Sequence, residues 1–194
     1  MCTEPAFARG QRGMTMIELI VFIVVVSVGL AGILGVLNLT TSHSADPMIR
    51  KQQLAIAESL LEEIESKPFT FCDPDDANVE TAAAAVVGVG GCATTLQGIG
   101  PTGAENRADP LNPFDNVGDY HAPAPIGITT PNGDAVHGLE NYTASVVVNW
   151  VDPMTLADVA ANSDALRIGV TVNAPGLSAL TLTGYRFRYA PNSP

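Results

Sequence analysis

The sequence predicts an α+β protein: a long N-terminal helical spine, transmembrane in its first half, packed on a C-terminal antiparallel β-sheet. Three observations carry that prediction. Leu19 to Leu37 is a run of 19 residues without a charge, long enough for a helix to cross the ~30 Å hydrocarbon core of a bilayer. The stretch ADPMIRKQQLAIAESLLEEIESK places apolar residues at helical spacing. Near the C-terminus, YTASVVVNWV and LRIGVTVNA alternate with the period of a half-buried strand.

The first helix is flanked by Arg9 and Arg12 on one side, whereas Arg50 and Lys51 lie well downstream of the other. The positive-inside rule therefore places the N-terminus in the cytoplasm and the C-terminal part outside. Within the run, Ser27, Ala31 and Gly35 recur every four residues with Gly29 and Gly32 beside them, a spacing that lets helix backbones approach closely. The helix is expected to reach about Ser44 and to kink or break at Pro47, with Asp46 as N-cap of a second helix over 46–67. On that helix Leu54, Ala57, Leu61 and Ile64 share one face with Leu60 beside them, and Glu58, Glu62 and Glu65 lie off it. Continuous from 14 to 66, such a spine would measure roughly 80 Å at ~1.5 Å per residue.

Residues 68–139 are rich in Pro, Gly, Asp and Asn and show no sustained period; Val79–Val89 is the one short candidate element. The sheet occupies 140–190. Tyr142, Ala144, Val146, Val148 and Trp150 share one face of the first strand. Leu166, Ile168, Val170 and Val172 point inward from the next, with Arg167, Thr171 and Asn173 outward. Ala174-Pro175-Gly176-Leu177 suits a type II turn. In the last strand Leu180 and Leu182 occupy one register and Tyr185, Phe187 and Tyr189 the other, so a bulge is expected at Gly184.

The net charge of −11 argues against a nucleic-acid partner, which requires clustered Lys and Arg. Three cysteines are an odd count for an exported chain. Cys2 lies in the N-terminal segment, and without it Cys72 and Cys92 remain as an even pair. A bridge between them would close a loop worth roughly 3 kcal/mol; the alternative is two buried thiols.

Glu18 is the anomaly, an acid at the head of the apolar run. An ionised carboxylate inside hydrocarbon costs roughly 2.5–3.5 kcal/mol and normally has a partner, yet no Lys or Arg lies near it in sequence on its face. The segment Gly13-Met14-Thr15-Met16-Ile17-Glu18-Leu19 resembles the type IV prepilin (class III signal) motif, whose family form is G followed by F-T-L-I-E-L. Thr15, Ile17, Glu18 and Leu19 match; Met14 and Met16 are conservative departures. The resemblance implies that a prepilin peptidase of the membrane cuts after Gly13 on the cytoplasmic side and methylates the new amine of Met14. It also implies that Glu18 pairs with the N-terminal ammonium of a neighbouring pilin subunit, at the low dielectric of a fibre core where the attraction is strong and an unpaired charge is penalised.

On this basis 1–13 is a cleaved leader, 14–45 a transmembrane and assembly helix, and 46–194 a pilin-like head. Two further stretches, SADPMIRKQQLAIAESLLEEI and FDNVGDYH, resemble segments of minor pilin D from mannose-sensitive haemagglutinin pilus systems; Asn116 and Gly118 stand where those relatives carry acids. The implied partners are the peptidase, other pilin subunits and an inner-membrane assembly platform. The implied location is the bacterial inner membrane, with the head periplasmic, and then the pilus fibre at the cell surface.

Catalytic and cofactor chemistry finds no support. Gly88-Val89-Gly90-Gly91-Cys92-Ala93 fits G-x-G-x-x-A, but ATTLQGIGPTG after it cannot hold the helix a dinucleotide site needs. His43, His121 and His137 are scattered without zinc-ligand spacing. Phe114-Asp115-Asn116-Val117-Gly118-Asp119-Tyr120 offers oxygens for Ca²⁺ but lacks the spacing of a dedicated loop, so no metal site is assigned and a solvated turn is expected. The reading is a minor type IV pilin, not an enzyme. A minor pseudopilin of type II secretion is the alternative within the class, and a membrane-anchored periplasmic enzyme or binding protein the alternative outside it.

Overall fold

A computed structural model describes residues 13–44 and 46–194. The chain divides into two units, one ending at Pro47 and the other running from Met48 to Pro194. The elements are helix α1 (Met16–Ser44), helix α2 (Asp46–Glu65), a 3₁₀ turn (Val117–Tyr120), and strands β1 (Ala122–Gly127), β2 (Thr143–Val151), β3 (Ala165–Asn173) and β4 (Leu180–Phe187). The fold class is α+β, an N-terminal apolar helix followed by a four-stranded antiparallel sheet, consistent with a pilin-like fold.

In the first unit, Met16–Leu37 is long and apolar enough to cross a membrane, and none of it is buried by the protein. Apart from Glu18 and Ser27 its side chains are apolar all round, as lipid or a fibre core requires and water does not. Ser27 satisfies its hydroxyl within the helix, Oγ donating to the Ile23 carbonyl at 2.6 Å. Helix α1 ends at Ser44 and α2 begins at Asp46; Ala45, between them, lies outside the described residues.

In the second unit, the sheet has the order β1-β2-β3-β4 with antiparallel neighbours. The alternation of β2 and β3 is reproduced: Ala144, Val146, Val148 and Trp150 are buried on one face together with Leu166, Ile168, Val170 and Val172. They form one core with Ile56, Ala57 and Ile64 of α2, and with Phe69 and Tyr142. The turn between β3 and β4 has Gly176 at φ 75°, as a type II turn requires at that place.

Four expectations are corrected. The buried stripe of α2 runs through Gln53, Ile56, Ala57 and Ile64, while Leu54 is exposed. Gln53 takes the inner place because its Nε2 donates to the carbonyls of Val172 (3.1 Å) and Ser178 (3.2 Å), which flank the β3–β4 turn. The second correction concerns Gly184. The β3–β4 register is continuous from Val172↔Leu180 to Ala165↔Phe187, with Gly184 opposite Ile168, so there is no bulge. Gly184 lies on the inner face, where a Cβ would collide with Glu65 Oε1 and approach Leu61 Cδ1 to 2.9 Å. Glycine here leaves room for the ends of those two α2 side chains; Tyr185 and Phe187 simply occupy the outer face.

Third, Val79–Val89 is neither helix nor strand but a series of turns, with a single bridge from Val87 to Cys92. The element in the irregular region is instead β1, APAPIG, whose two prolines conceal it. Proline lacks the N–H that a central strand must donate, and β1 lies at the sheet edge with a register irregularity between Ala122 and Ile126. Fourth, Asn116 to Tyr120 form a buried 3₁₀ turn rather than a solvated one.

Candidate functional site

The N-terminal residues come first in the chain. Gly13 to Thr15 precede the first turn of α1. Thr15 sits at its N-cap place, its carbonyl and Oγ1 accepting from the Glu18 N–H at 3.1 and 3.4 Å. Glu18 falls in the first turn and is exposed. A carboxylate there complements the partial positive charge of the helix start, a local role that the sequence reading did not assign. Glu18 therefore presents an acid at the end of an otherwise uncharged rod, with Met14 exposed just before it.

The second feature is the staple of the loop region. Cys72 and Cys92 are joined by a disulfide with Cα atoms 5.3 Å apart, and both are fully buried in a small cluster with Val79 and Ala82. Asp76 organises the segment beyond the bridge. Its carboxylate accepts from the backbone N–H groups of Thr95, Thr94, Ala93 and Asn78 at 2.7 to 2.9 Å. Those donors, Thr95 foremost, hold its pKa far below the usual carboxylate range.

A third constellation joins α2 to the loops. Arg107 makes a two-pronged ion pair with Glu63, Nε to Oε1 at 2.8 Å and Nη2 to Oε2 at 2.6 Å. Tyr120 donates to Glu63 Oε1 at 2.9 Å. Burial pushes the Glu63 carboxyl up, but the Arg107 and Tyr120 hydrogen bonds together outweigh it, so the group stays below its ordinary value. This network borders a small apolar cavity of about 90 Å³ lined by Ile56, Leu60, Phe114 and Ile126 among others, too small for a drug-sized substrate.

The fourth constellation is acidic. One ligand oxygen from each of Asp73, Asp75 and Asp115 lies within 4.8 Å of the others, and Glu105, Asp115 and Asp119 make a second such group. Burial, then the charges of Asp119, Glu105, Asp73 and Asp75, push the Asp115 carboxyl up to about 7. Burial pushes Asp119 up to about 6, partly offset by the Asn116 backbone N–H and the Gln97 side chain. Asp115 and Asp119 were visible in the sequence as an acidic loop; Asp73, Asp75 and Glu105 were not, because they come from separate segments.

Comparison with known families bears on the first of these features. Residues 8–34 match the prokaryotic N-terminal methylation motif. The chain thus carries a class III signal of the type IV pilin kind. Neither the curated proteins nor the solved structures yielded a match. The motif implies processing by prepilin peptidase and assembly with other pilins, and together with α1 it fits anchoring in an inner membrane. It points to a structural rather than a catalytic protein, and it fits a pilin or a pseudopilin.

Proposed function

We propose that this chain is a minor type IV pilin of a mannose-sensitive haemagglutinin-like system, cut after Gly13 and built into a pilus whose assembly it primes or supports. The observation that carries the reading is Glu18, an acid in the first turn of a helix that is otherwise uncharged and unburied over Met16–Leu37, inside a methylation motif. Cleavage creates an α-ammonium at Met14, with an ordinary pKa of about 7.7–8.0. Opposite charges at low dielectric then favour docking at one helical stagger over others. In the membrane, residues 14–45 hold the subunit with its N-terminus cytoplasmic and its head periplasmic until it is extracted into the fibre. The likeness of residues 44–64 and 114–121 to minor pilin D favours a pilus over a type II secretion pseudopilus.

The test is the mass of the native N-terminus together with one substitution. A mature chain beginning at N-methylated Met14 is expected; a chain retaining its first residues through Gly13 overturns the reading. Glu18→Val is expected to insert and be cut normally yet to be missing from sheared fibres. Normal incorporation of that variant removes the docking role.

A further inference from the structure

The sheet has two edges, and the chain treats them differently. Strand β1 closes one edge with Pro123 and Pro125, and its pairing with β2 is interrupted between Ala122 and Ile126. Proline and irregular pairing are means by which an edge strand is kept from recruiting another chain. Strand β4 closes the other edge with neither. Leu180–Phe187 contains no proline, and its register with β3 runs unbroken from Val172↔Leu180 to Ala165↔Phe187. Its one charge, Arg186, lies on the inner face, where Nη2 donates to the Lys67 carbonyl at 3.2 Å.

The hydrogen-bond phase of β4 defines what it leaves open. The Arg188 N–H donates to the Asp164 carbonyl at 2.9 Å, and residues along an antiparallel ladder alternate between bonded and non-bonded pairs. Arg186, Gly184, Leu182 and Leu180 share the phase of Arg188 and bond to β3. Thr181, Thr183 and Tyr185 therefore turn their N–H and C=O groups to the free edge, where no backbone partner meets them among the described residues. The side chains of all three are exposed on the outer face. Alternating donors and acceptors at strand spacing are matched by one kind of ligand, an extended backbone.

Charge selects the chain that supplies it. Helix α2 runs over the inner side of this edge: Gln53 donates to the Ser178 carbonyl just before β4, and the ends of Leu61 and Glu65 lie at Gly184. Leu54, Glu58, Leu61 and Glu65 recur on that flank at helical spacing, with Glu62 beside them. Among the described residues no ion pair reaches Glu58, Glu62 or Glu65. A second copy of this chain is therefore disfavoured. Meeting β4 to β4, two copies bring these acidic flanks together; meeting β4 to β1, they find the proline edge. We propose that β4 takes, as a fifth strand, an extended segment of a different protein whose face toward α2 combines apolar side chains with Lys or Arg. Leu61 and Leu182, only half-buried, receive the apolar side chains, and Glu58 and Glu65 the cations. This docking does not depend on cleavage after Gly13, so its failure and that of the pilin reading are separate results.

Photocrosslinking of the full chain in its native cells tests it, with p-benzoylphenylalanine replacing Thr181, Thr183 or Tyr185 in turn and Val147 of β2 as control. Adducts to one segment of one other protein are expected, the crosslinked residue moving by two whenever the probe moves by two, and none from Val147. Thr183→Pro removes an edge N–H and no bond to β3. It is expected to cut the adduct of the Thr181 probe roughly tenfold, the scale of one lost hydrogen bond. Glu58→Lys, at an exposed position, is expected to cut it roughly threefold, and carries the test if Thr183→Pro does not fold by circular dichroism. No adduct above that of Val147 overturns the proposal, as do adducts without the two-residue step or adducts only to a second copy of this chain. So does a yield unchanged in Glu58→Lys and in a folded Thr183→Pro.

Discussion

Asp115 and Asp119 show how a residue acquires properties its own type does not have. Burial raises both above the ordinary carboxylate value, to about 7 and about 6, helped at Asp115 by the charges of Asp119, Glu105, Asp73 and Asp75 and at Asp119 by that of Glu105. In the unfolded chain both would titrate near the ordinary value of 3.8. A group whose folded pKa is raised adds stability that is complete below its unfolded pKa and is lost as pH rises through its folded pKa. With other groups allowed for by an Asp115→Asn control of smaller slope, the urea midpoint of the full chain in chelator-treated buffer is therefore expected to fall between about pH 4 and about pH 7. An equal slope in that variant would remove Asp115 from the account. The two acids were legible in the loop FDNVGDYH, but the partners that shift them were not, since spacing within one loop carries no information about carboxylates arriving from other segments.

At the scale of elements, helix α2 illustrates both the reach of periodicity and its limit. Its existence and its start at Asp46-Pro47 followed from the capping residue, the proline and the apolar spacing. Its buried stripe did not, because hydrophobicity ranks Leu54 above Gln53, whereas the β3–β4 turn beneath offers the carbonyls of Val172 and Ser178, to both of which the Gln53 amide donates and to the second of which Arg50 Nη1 donates as well. Gln53→Ala is expected to destabilise the head by about 1–3 kcal/mol, the cost of leaving buried acceptors unmade, read as a lower urea midpoint with unchanged slope. A loss no larger than that of an exposed control such as Glu58→Ala would contradict this. The same logic explains Gly184. From sequence alone a glycine between two apolar registers suggests a bulge; in the fold it faces the ends of the Glu65 and Leu61 side chains of α2, which a Cβ would displace. Strand β1 escaped notice because its prolines argue against a strand unless its place at the edge is known.

At the scale of the whole molecule, the two units divide the work. The first carries the signal and a helix unburied over Met16–Leu37; the second carries a core between α2 and the sheet, and a loop region with little regular structure joined by the Cys72–Cys92 disulfide. Reduction of Cys72–Cys92, which spans a sequence separation of 20, is expected to lower the unfolding free energy by roughly 3 kcal/mol through the entropy restored to the unfolded chain. Urea denaturation with and without reductant measures it, and coincident curves would show that the bridge adds nothing. The sequence by itself determined the α+β class, the membrane-length helix, the methylation motif and the inner faces of β2 and β3. Each of these depends on residues adjacent in the chain, where period, length and residue order fix the outcome. Only the tertiary structure decided that Gln53 is inside, that Gly184 faces the side chains of a helix, that β1 forms an edge, and that Asp115 lies near both Asp73 and Asp75 and near Glu105 and Asp119. Those depend on which distant segments come together, and the free energy of a buried polar group is set by the partners it finds there rather than by its neighbours in the chain.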